Sequence, residues 1–458
     1  MFQREILKEL VDWEKKPNRK PLVLRGARQV GKTTVVNQFA KQFEQYIYLN
    51  LELPEDRRPF EDFSSIEVLL QTLFFAKNLL LSKKARTLIF IDEIQAVPKA
   101  LHILRYFYES ASETAVIAAG SMLESLFDRH ISFPVGRVEY KVVRPASFAE
   151  FLGAMNEKAA LEQMENVPIQ GFAHAKMMRL FHQYALIGGM PEVVQHYSQH
   201  RDLTALAPIY DALLASYSDD VEKYAHSDSQ TQHIRHAMNA AFRQAGKRIK
   251  FEGFGNSPYK SREMGEALRT LEKALLVQLI YPETAALLPF NPDLKKSPRL
   301  HVLDTGLMNY LAGIQREILG TTDLHSVYQG TMIEHLVGQE LLSRQYLALE
   351  NLHFWVKEKN SSTAEIDYLY PYQGKLIPIE VKSGADGRLK SLHQFMDLAP
   401  HALAVRFYAG ELAITEGISI EGKPYQLLNL PYYLATQLDK YLDWWTQGSS
   451  LEPAQSKV

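Results

Sequence analysis

The residues GARQVGKT at positions 26–33 match the pattern G-x-x-x-x-G-K-[ST] in full. Glycines in this pattern let backbone N–H groups turn toward phosphate oxygens, and the following helix N-terminus adds positive potential. A chance glycine loop is the alternative, but a strand-like run precedes the motif and a helical run follows it. The motif predicts ATP and Mg²⁺ as cofactors, with nucleotide contacts from Gly26, Ala27, Arg28, Gln29, Val30, Gly31, Lys32, Thr33 and Thr34.

Two residues of this loop are expected to have specific chemical roles. Lys32 would reach the β- and γ-phosphates and act in catalysis, and the Thr33 hydroxyl would bind Mg²⁺. An acidic pair follows the apolar run LIFI at 88–91. Asp92 is expected to hold the Mg²⁺ shell, and Glu93 is expected to polarise the attacking water. An acid pair alone fits an ordinary helix N-cap equally well, and the phosphate-loop motif favours the catalytic interpretation.

Phosphoryl transfer also needs groups that stabilise the charge developing on the phosphate. Ser121, at the end of TAVIAAGS, is placed as a polar sensor on the neighbouring strand. Arg137, or alternatively Arg129, is a candidate arginine finger that reaches a neighbouring subunit. A surface salt bridge is the more usual role for both arginines.

A second group of chemically competent residues lies near the C-terminus. Glu365 and Asp367 are two apart in EIDYLYP, and Glu380 and Lys382 are two apart in LIPIEVK, so each pair shares one face of a strand. A hairpin through PYQGK would bring Asp367 beside Glu380. Two carboxylates form an oxygen site suited to Mg²⁺, and Lys382 could stabilise a phosphate or activate water, which is phosphodiester chemistry. A solvated strand edge is the alternative.

The elements that position the first group are five short apolar runs separated by segments of helix length. Such runs indicate a parallel sheet covered on both faces, and therefore an α/β domain. The five predicted strands are PLVLRG (21–26), YIYLNLE (46–52), TLIFIDE (87–93), TAVIAAG (114–120) and VEYKVV (138–143).

The rest of the chain divides by changes in periodicity. Helical spacing from about 150 to 225, with a Gly-Gly-Met-Pro break at 188–191, predicts an all-helical lid. A winged helix fits the next segment, which is predicted to contain helices at 230–245 and 260–276 and then strands at 276–282 and 299–303. A helix at 330–347 and strands at 354–358, 365–371 and 376–382 predict a smaller α/β domain. The predicted boundaries are 1–150 for the ATPase core, 151–225 for the lid, 226–318 for the winged helix, 319–440 for the last domain and 441–458 for a tail.

Composition limits the classes of function. The chain of 458 residues has no cysteine, which excludes disulfides, thiolate zinc sites and a cysteine nucleophile, and which fits a reducing compartment. The N-terminus lacks an apolar signal region, and no stretch approaches the roughly 18 apolar residues of a membrane span. We therefore expect a soluble cytoplasmic protein without a membrane partner.

The net charge of −2 gives the chain as a whole no attraction for nucleic acid, so DNA binding must use a local patch. One stretch, from Arg243 to Lys273, is such a candidate. It contains eight basic residues (Arg243, Lys247, Arg248, Lys250, Lys260, Arg262, Arg269 and Lys273) and four acidic ones (Glu252, Glu263, Glu266 and Glu272). A solvated helical face explains this charge pattern equally well.

The chain resembles the bacterial and archaeal AAA-type ATPases that carry a C-terminal DUF4143 domain. Seven segments carry the resemblance, in this order: GARQVGKTT, LIFIDEIQ, AAGS, VGRV, ALIGGMPEVV, LHVLDTGL and EIDYLYP…IPIEVKSG. The resemblance covers residues from about 5 to 410. It implies an α/β multidomain architecture with an AAA core, a helical lid, a winged helix and a C-terminal domain similar to PD-(D/E)xK nucleases. It also implies a homo-oligomer, either a dimer or a ring.

Within this resemblance, Glu334 is similar to the helix glutamate that completes the metal site of such nucleases, and Gln394 is a weaker candidate. The predicted metal ligands of that site are therefore Glu334, Asp367 and Glu380. His301, Asp304 and Thr305 resemble a family junction, but turn and cap roles explain them, and we assign them no chemistry.

The expected function is a Mg²⁺-dependent ATPase that couples ATP hydrolysis to DNA binding or processing through the winged helix and the nuclease-like domain. Whether that domain is an active deoxyribonuclease stays open. One alternative is a nucleotide-switched ATPase that docks protein or DNA on a catalytically idle nuclease fold. A protein-remodelling ATPase is another. The macromolecule that stimulates ATP hydrolysis would distinguish them.

Overall fold

In the computed structural model, the described residues are 2–120, 136–222, 225, 227–315, 330–357, 364–382 and 389–448. Five strands near the N-terminus form one sheet in the order β2-β3-β4-β1-β5, and every neighbouring pair is parallel. They are β1 (Leu22–Arg25), β2 (Gln45–Asn50), β3 (Thr87–Asp92), β4 (Ala115–Ala119) and β5 (Glu139–Val142). The predicted parallel α/β sheet is confirmed.

Helices cover both faces of this sheet, which explains its nearly continuous apolar runs. On β3, Leu88 and Phe90 belong to one hydrophobic cluster, and Ile89 and Ile91 belong to the other. The first cluster contains residues of α1 and α2, and the second contains residues of α4 and α5. The helices of this region are α1 (Ile6–Glu14), α2 (Lys32–Phe39), α3 (Pro54–Glu61), α4 (Ile66–Ala76) and α5 (Pro98–Ser110).

A helical region follows the sheet. Its first helix begins where Ser147 accepts the backbone N–H of Glu150, whose carboxylate in turn accepts the N–H of Ser147. The helices are α6 (Phe148–Ala154), α7 (Lys158–Glu165), α8 (His174–Ile187), α9 (Pro191–His200), α10 (Ala207–Glu222), α11 (Asp228–Arg243) and α12 (Ser261–Lys273).

The apolar run at 276–282 is divided between two sheets, whereas the sequence predicted a single strand. The strand β6 (Val277–Ile280) pairs antiparallel with β8 (Arg299–Val302). The short strand β7 (Pro282–Glu283) instead pairs parallel with a C-terminal strand. Proline has no N–H to donate and is confined to strand ends and edges, so Pro282 starts a separate edge strand.

The helix α13 (Thr305–Leu311) follows β8, and α14 (Gly330–Ser343) begins the C-terminal region. Seven strands there form a mixed sheet in the order β13-β14-β12-β11-β10-β9-β7. The remaining elements are β9 (His353–Val356), β10 (Glu365–Tyr372), β11 (Lys375–Val381), α15 (Lys390–Leu398), β12 (Leu403–Tyr408), β13 (Ala413–Ile418), β14 (Pro424–Pro431) and α16 (Leu438–Thr446).

The last helix, α16, crosses the boundary predicted at 440/441 and is packed into the body of the chain. Its Tyr441 hydroxyl accepts the backbone N–H of Ile169, and Trp445 belongs to the same hydrophobic cluster as Ile6 of α1. One apolar core thus joins the N-terminal sheet to the C-terminal region. Among the described residues, no helix is long and apolar enough to cross a membrane.

Candidate functional site

The phosphate-loop motif forms the turn between β1 and α2. The chain bends sharply at Gly26, where a Cβ atom would lie 2.5 Å from the backbone oxygen of Val143. Gln29 and Gly31 both have positive φ angles, of 62° and 94°, so the loop curls before α2 begins at Lys32. A loop of this form, followed by a helix N-terminus, presents backbone N–H groups to an anion.

The Lys32 side chain is buried and folded onto its own loop. Its Nζ donates to the backbone oxygens of Gly26 and Ala27, both at 2.9 Å. Burial lowers the pKa of Lys32 to about 8, and the carboxylates of Glu93 and Asp92 offset part of that effect. A phosphate in contact with Lys32 would stabilise its charged form further.

The acid pair at the end of β3 meets the loop from the other side. The Thr33 hydroxyl donates to Asp92 Oδ2 at 2.7 Å, and the backbone N–H of Glu93 donates to Asp92 Oδ1 at 3.1 Å. Burial raises the pKa of Asp92 and of Glu93, and repulsion from Asp92 adds to the increase at Glu93. A hydroxyl and a carboxylate oxygen in contact are the hard ligands that Mg²⁺ prefers, so these residues fit the metal that the motif implies.

Lys32, Thr33 and Glu93 line a cleft of about 620 Å³. One face of α9 also lines this cleft, through Pro191, Glu192, Gln195 and Gln199. This volume lies within the range of roughly 300–1,000 Å³ that small-molecule sites have. Helix α9 and the phosphate loop therefore line a common space of nucleotide size.

The sequence did not point to Arg4, a cation beside the loop, or to the partners of Arg28, which it predicted only as a nucleotide contact. Arg4 donates to the backbone oxygen of Val30 at 3.0 Å and pairs with Glu150 at 3.0 Å. Arg28 pairs with Asp220 of α10 at 3.2 Å, and its backbone oxygen accepts from the Tyr217 hydroxyl at 3.1 Å. These partners lie far away in sequence and form no local motif, so no sequence signal identified them.

Of the three residues predicted to stabilise charge on the phosphate, the structure describes only Arg137. Ser121 and Arg129 lie outside the described residues. Arg137 pairs with Glu109 at 3.0 Å on the surface, before the start of β5. Since β5 runs parallel to β1, Arg137 lies at the N-terminal ends of these strands, whereas the phosphate loop lies at their C-terminal ends. Arg137 is therefore not beside the phosphate loop of its own chain.

The C-terminal acidic residues come together as their spacing predicts. In the β10–β11 hairpin, Tyr368 pairs with Ile379, so Asp367 lies opposite Glu380. Asp367 Oδ2 accepts the backbone N–H of Val381 at 2.8 Å, and Glu380 is paired with Lys382. Among the described residues, the buried Glu380 Oε2 has no hydrogen-bond partner.

Glu334 of α14 lies near the hairpin, because its backbone oxygen accepts a hydrogen bond from the Tyr368 hydroxyl at 2.7 Å. Burial raises the pKa of Glu334 to about 7, and repulsion from Asp367 is the next cause. Burial raises the pKa of Glu380 to about 8, again with Asp367 as the next cause. Gln394, the weaker candidate, instead accepts a hydrogen bond from Lys357 at 3.0 Å.

An arginine that the sequence did not suggest neutralises this acidic cluster. Buried Arg299 of β8 bonds the Glu365 carboxylate, donates to the backbone oxygen of Asp367 at 2.7 Å and lies 3.8 Å from Asp367 Oδ1. Across the described ranges, no three acidic or histidine side chains are arranged to hold a metal ion. The predicted ligands Glu334, Asp367 and Glu380 therefore supply suitable oxygens, but their arrangement here does not fit a metal, because Arg299 provides positive charge instead.

Of the three residues assigned only turn and cap roles, Asp304 and Thr305 begin α13, whereas His301 lies within β8. Asp304 caps α13 by accepting the backbone N–H groups of Gly306 and Leu307, at 2.9 and 3.2 Å. The ring of His301 stacks on that of His335 with centroids 4.1 Å apart.

The strand order, the phosphate loop after β1 and the acid pair after β3 together define an AAA-type P-loop ATPase fold. Comparison with known families agrees. Residues 18–152 match the AAA domain family, residues 178–318 match a domain of unknown function, DUF8612, and residues 329–426 match another, DUF4143. The chain thus combines an AAA-type domain with a DUF4143 domain, as the sequence resemblance predicted.

Individual proteins are more distant. An uncharacterized protein of Methanocaldococcus jannaschii is 25% identical over 360 residues, which cover 76% of this chain and 71% of that protein. A Walker-type ATPase of Pyrococcus abyssi matches with a TM-score of 0.45 and 15% identity, covering 68% of this chain and 96% of that one. The Aeropyrum pernix Orc1 protein, solved in complex with DNA, matches with a TM-score of 0.28 and 14% identity, covering 70% and 94%. The assignment rests on the domain matches and the site geometry.

Proposed function

We propose that this chain binds ATP with Mg²⁺ and hydrolyses it in the cleft between the phosphate loop and α9. The observation that carries the proposal is the contact between Thr33 and Asp92 at 2.7 Å, with Lys32 and Glu93 lining the same cleft. Two elements distant in sequence thus meet at one cleft, which supports Lys32 as the cation, Thr33 and Asp92 as metal ligands and Glu93 as the base.

Each side chain has a distinct role in the proposed reaction. Lys32 exchanges its two loop carbonyls for phosphate oxygens and stabilises their charge. Bound Mg²⁺, held by Thr33 and Asp92, supplies charge neutralisation at the phosphates. Glu93 accepts a proton from the attacking water, and its raised pKa brings it closer to the working pH of a general base.

Titration of Lys32→Ala with a fluorescent ATP analogue tests ATP binding at this site. We expect saturable Mg²⁺-dependent binding in the wild type and loss of that binding in the variant, because the charge facing the phosphates is removed. Lys41→Ala is the matched control, since Lys41 is an exposed lysine just after the same helix. Equal affinity in wild type and Lys32→Ala would overturn the proposed site.

We further propose that ATP hydrolysis is coupled to DNA, which would be bound through α11, α12 and the β6–β8 hairpin acting as a winged helix. Three basic residues of this region, Lys260, Arg262 and Arg269, are exposed, and the Arg262 side chain is 88% accessible. Exposed cations of this kind bind phosphates without reading sequence. Assembly as a homo-oligomer, a dimer or a ring, would place Arg137 beside the nucleotide of a neighbouring copy.

The second candidate is a nucleotide-switched ATPase in which the nuclease-like fold is idle and docks DNA or protein. Arg299 favours it, because a buried guanidinium on Glu365 and Asp367 gives the acidic cluster a structural role. The rival role is metal-dependent DNA cleavage by Glu334, Asp367, Glu380 and Lys382, and it requires Asp367 to leave Arg299.

DNA cleavage in Mg²⁺ or Mn²⁺ separates the two roles. Cleavage by the wild type that is lost in Glu380→Gln, with ATP hydrolysis retained, would establish the nuclease. No cleavage by the wild type, together with ATP hydrolysis stimulated by DNA or by a protein, would establish the docking role. Glu416→Gln, on the exposed edge strand β13, is the matched control.

A further inference from the structure

Arg28 is a cation of the phosphate loop to which the proposed reaction gives no role. It lines the same cleft as Lys32 and Glu93. Its side chain is 38% exposed, so solvent and ligands can reach the guanidinium. Arg4 also lines the cleft, but it is buried and paired with Glu150. Of these two arginines, Arg28 is therefore the one that is open to a ligand in the cleft.

Helix α10 holds Arg28 at two points. Arg28 Nη1 donates to Asp220 Oδ1 at 3.2 Å, and the Tyr217 hydroxyl donates to the backbone oxygen of Arg28 at 3.1 Å. Both residues of α10 are buried. They are three positions apart, so they lie on the same face of the helix. The backbone and the side chain of Arg28 are thus fixed by one helix.

Asp220 uses only part of the Arg28 guanidinium. An arginine carries five N–H donors in a planar fork. Across the described ranges of the chain, the bond from Nη1 to Asp220 is the one side-chain hydrogen bond that Arg28 makes. Phosphate oxygens are acceptors that such a fork binds with two parallel hydrogen bonds. Arg28 therefore has donors left for a phosphate while it stays paired with Asp220.

The charges of the Arg28–Asp220 pair also act on Lys32. Burial is the main cause that lowers the pKa of Lys32, and among the weaker influences Asp220 raises this pKa and Arg28 lowers it. The interaction between two charges weakens with their separation. The Arg28 guanidinium is therefore near enough to the Lys32 ammonium group for both cations to serve one polyphosphate.

ATP hydrolysis creates charge that such a cation can stabilise. The water oxygen bonds to the γ-phosphorus, and the water proton passes to Glu93. The bond between the γ-phosphorus and the bridging oxygen breaks, and its electron pair stays on ADP. Charge is spread over the phosphoryl oxygens and the leaving oxygen in the transition state, where a fixed cation lowers the barrier.

We propose that Arg28 is a further catalytic residue, which stabilises this charge on the nucleotide of its own chain, and that Asp220 is its positioning residue. The inference rests on the proposed ATP hydrolysis and assigns one more residue to it. It is independent of any contribution from Arg137, which lies at the other end of the β1 and β5 strands. Through Asp220, the position of α10 would then influence the rate of hydrolysis.

Kinetics of Arg28→Ala test the catalytic role. We expect kcat to fall by at least about 100-fold, the scale of one lost charge-stabilising donor, while ATP affinity stays close to that of the wild type. Arg28→Lys keeps the charge without the fork and should retain more activity than Arg28→Ala. Arg86→Ala is the matched control, because Arg86 forms an ion pair of the same length, 3.2 Å, with Glu44. Its kcat should equal that of the wild type.

A mixture of Arg28→Ala with Lys32→Ala tests whether Arg28 acts within its own chain. The first variant binds ATP and lacks the arginine, and the second has the arginine and no bound ATP. We expect the mixture to hydrolyse ATP no faster than the sum of the two variants. Hydrolysis restored by mixing would show that Arg28 acts on the nucleotide of a neighbouring copy, and it would overturn the proposal.

Asp220→Asn tests the positioning role. It should lower kcat in the wild type and have no further effect in Arg28→Ala, whereas a purely structural role would lower kcat in both backgrounds and would overturn the positioning role. Should Arg28→Ala fail to fold, as judged by loss of ATP binding, Arg28→Gln is the second variant and should show the same fall in kcat.

The wild type separates failure of this inference from failure of the proposed function. No ATP hydrolysis by the wild type would overturn both. Hydrolysis by the wild type with an unchanged kcat in Arg28→Ala would overturn only the role of Arg28. A fall in ATP affinity with kcat unchanged would also overturn it, because Arg28 would then bind substrate and transition state equally.

Discussion

The Asp304 carboxylate accepts the backbone N–H of Gly189 at 2.6 Å, across 115 positions of sequence. The same carboxylate caps α13, so it ties the segment after β8 to the turn that precedes α9. That turn leads to Pro191, whose Cγ lies 3.6 Å from the position that a Cβ of Gly31 would occupy. Asp304 therefore connects the β6–β8 region to the start of α9, beside the phosphate loop.

Asp304→Ala should destabilise the protein, because it leaves the buried N–H groups of Gly189, Gly306 and Leu307 without their acceptor. Unpaired buried donors and a lost helix cap together should cost about 2–4 kcal/mol of the free energy of unfolding. Asp304→Asn keeps one acceptor oxygen and should cost less. Denaturant unfolding measures the free energy of unfolding of both variants. Wild-type stability in Asp304→Ala would show that this connection does not stabilise the fold.

Gly189→Ala should disrupt the same connection from the other side. A Cβ at Gly189 would lie 2.2 Å from the backbone oxygen of Ala146, so the turn would have to move. Gly153→Ala is the matched control, because a Cβ there meets only Leu161 at 4.0 Å. We expect weaker nucleotide binding in Gly189→Ala and unchanged binding in Gly153→Ala, and equal nucleotide affinity in the two variants would contradict the link between the turn and the cleft.

Glu340 should make stability depend on pH. Both of its carboxylate oxygens accept the N–H of Phe148 at 3.1 Å, the Tyr184 hydroxyl donates at 2.6 Å, and burial raises the pKa of Glu340 to about 8. Between the ordinary value of 4.5 and about 8, the folded state binds more protons than the unfolded state. The contribution of Glu340 to stability therefore falls as pH rises, by up to about 1.4 kcal/mol per pH unit in this window.

Glu340→Gln removes this titration while keeping the shape of the side chain. We expect the stability of the wild type relative to this variant to fall from pH 5 to pH 8 and to level off above that, as measured by unfolding at each pH. A constant difference across the window would show that Glu340 does not titrate with a raised pKa.

The basic stretch from Arg243 to Lys273 gives a prediction for the affinity of the protein for DNA. Reversing Lys260, Arg262 and Arg269 to glutamate should weaken binding to unrelated DNA sequences about equally, and it should lower the slope of log affinity against log salt by about 3. The matched control reverses Lys158, Lys176 and Arg179, three exposed cations of α7 and α8. Fluorescence anisotropy over a salt series gives both quantities, and an unchanged slope in the first variant would make the stretch only a solvated face.

Local patterns were sufficient to predict the parts of the fold and site that depend on neighbouring residues. The phosphate loop, the acids ending β3 and the β10–β11 hairpin each lie within one short segment, where strand alternation and turn residues determine side-chain placement. The hairpin turn, for example, has positive φ angles at Gln373 and Gly374, which a glycine there favours.

Contacts between distant segments were not predictable in this way. Arg299 meets the backbone of Asp367 across 68 positions, and Arg4 meets that of Arg144 across 140. Nothing near Arg299 in the sequence distinguishes it from a surface arginine. The acidic residues were identified correctly as neighbours, while the cation that balances them depends on how β8 packs against β10.

In the proposed reaction, Glu93 is the base for ATP hydrolysis at a site formed by Lys32, Thr33 and Asp92. The most direct test measures phosphate release under saturating Mg²⁺-ATP, alongside ATP affinity, for the wild type and Glu93→Gln. We predict turnover by the wild type, and for the variant wild-type-like affinity with hydrolysis reduced by at least about 100-fold, the scale of a lost general base. Hydrolysis at the wild-type rate in Glu93→Gln would show that Glu93 is not the base.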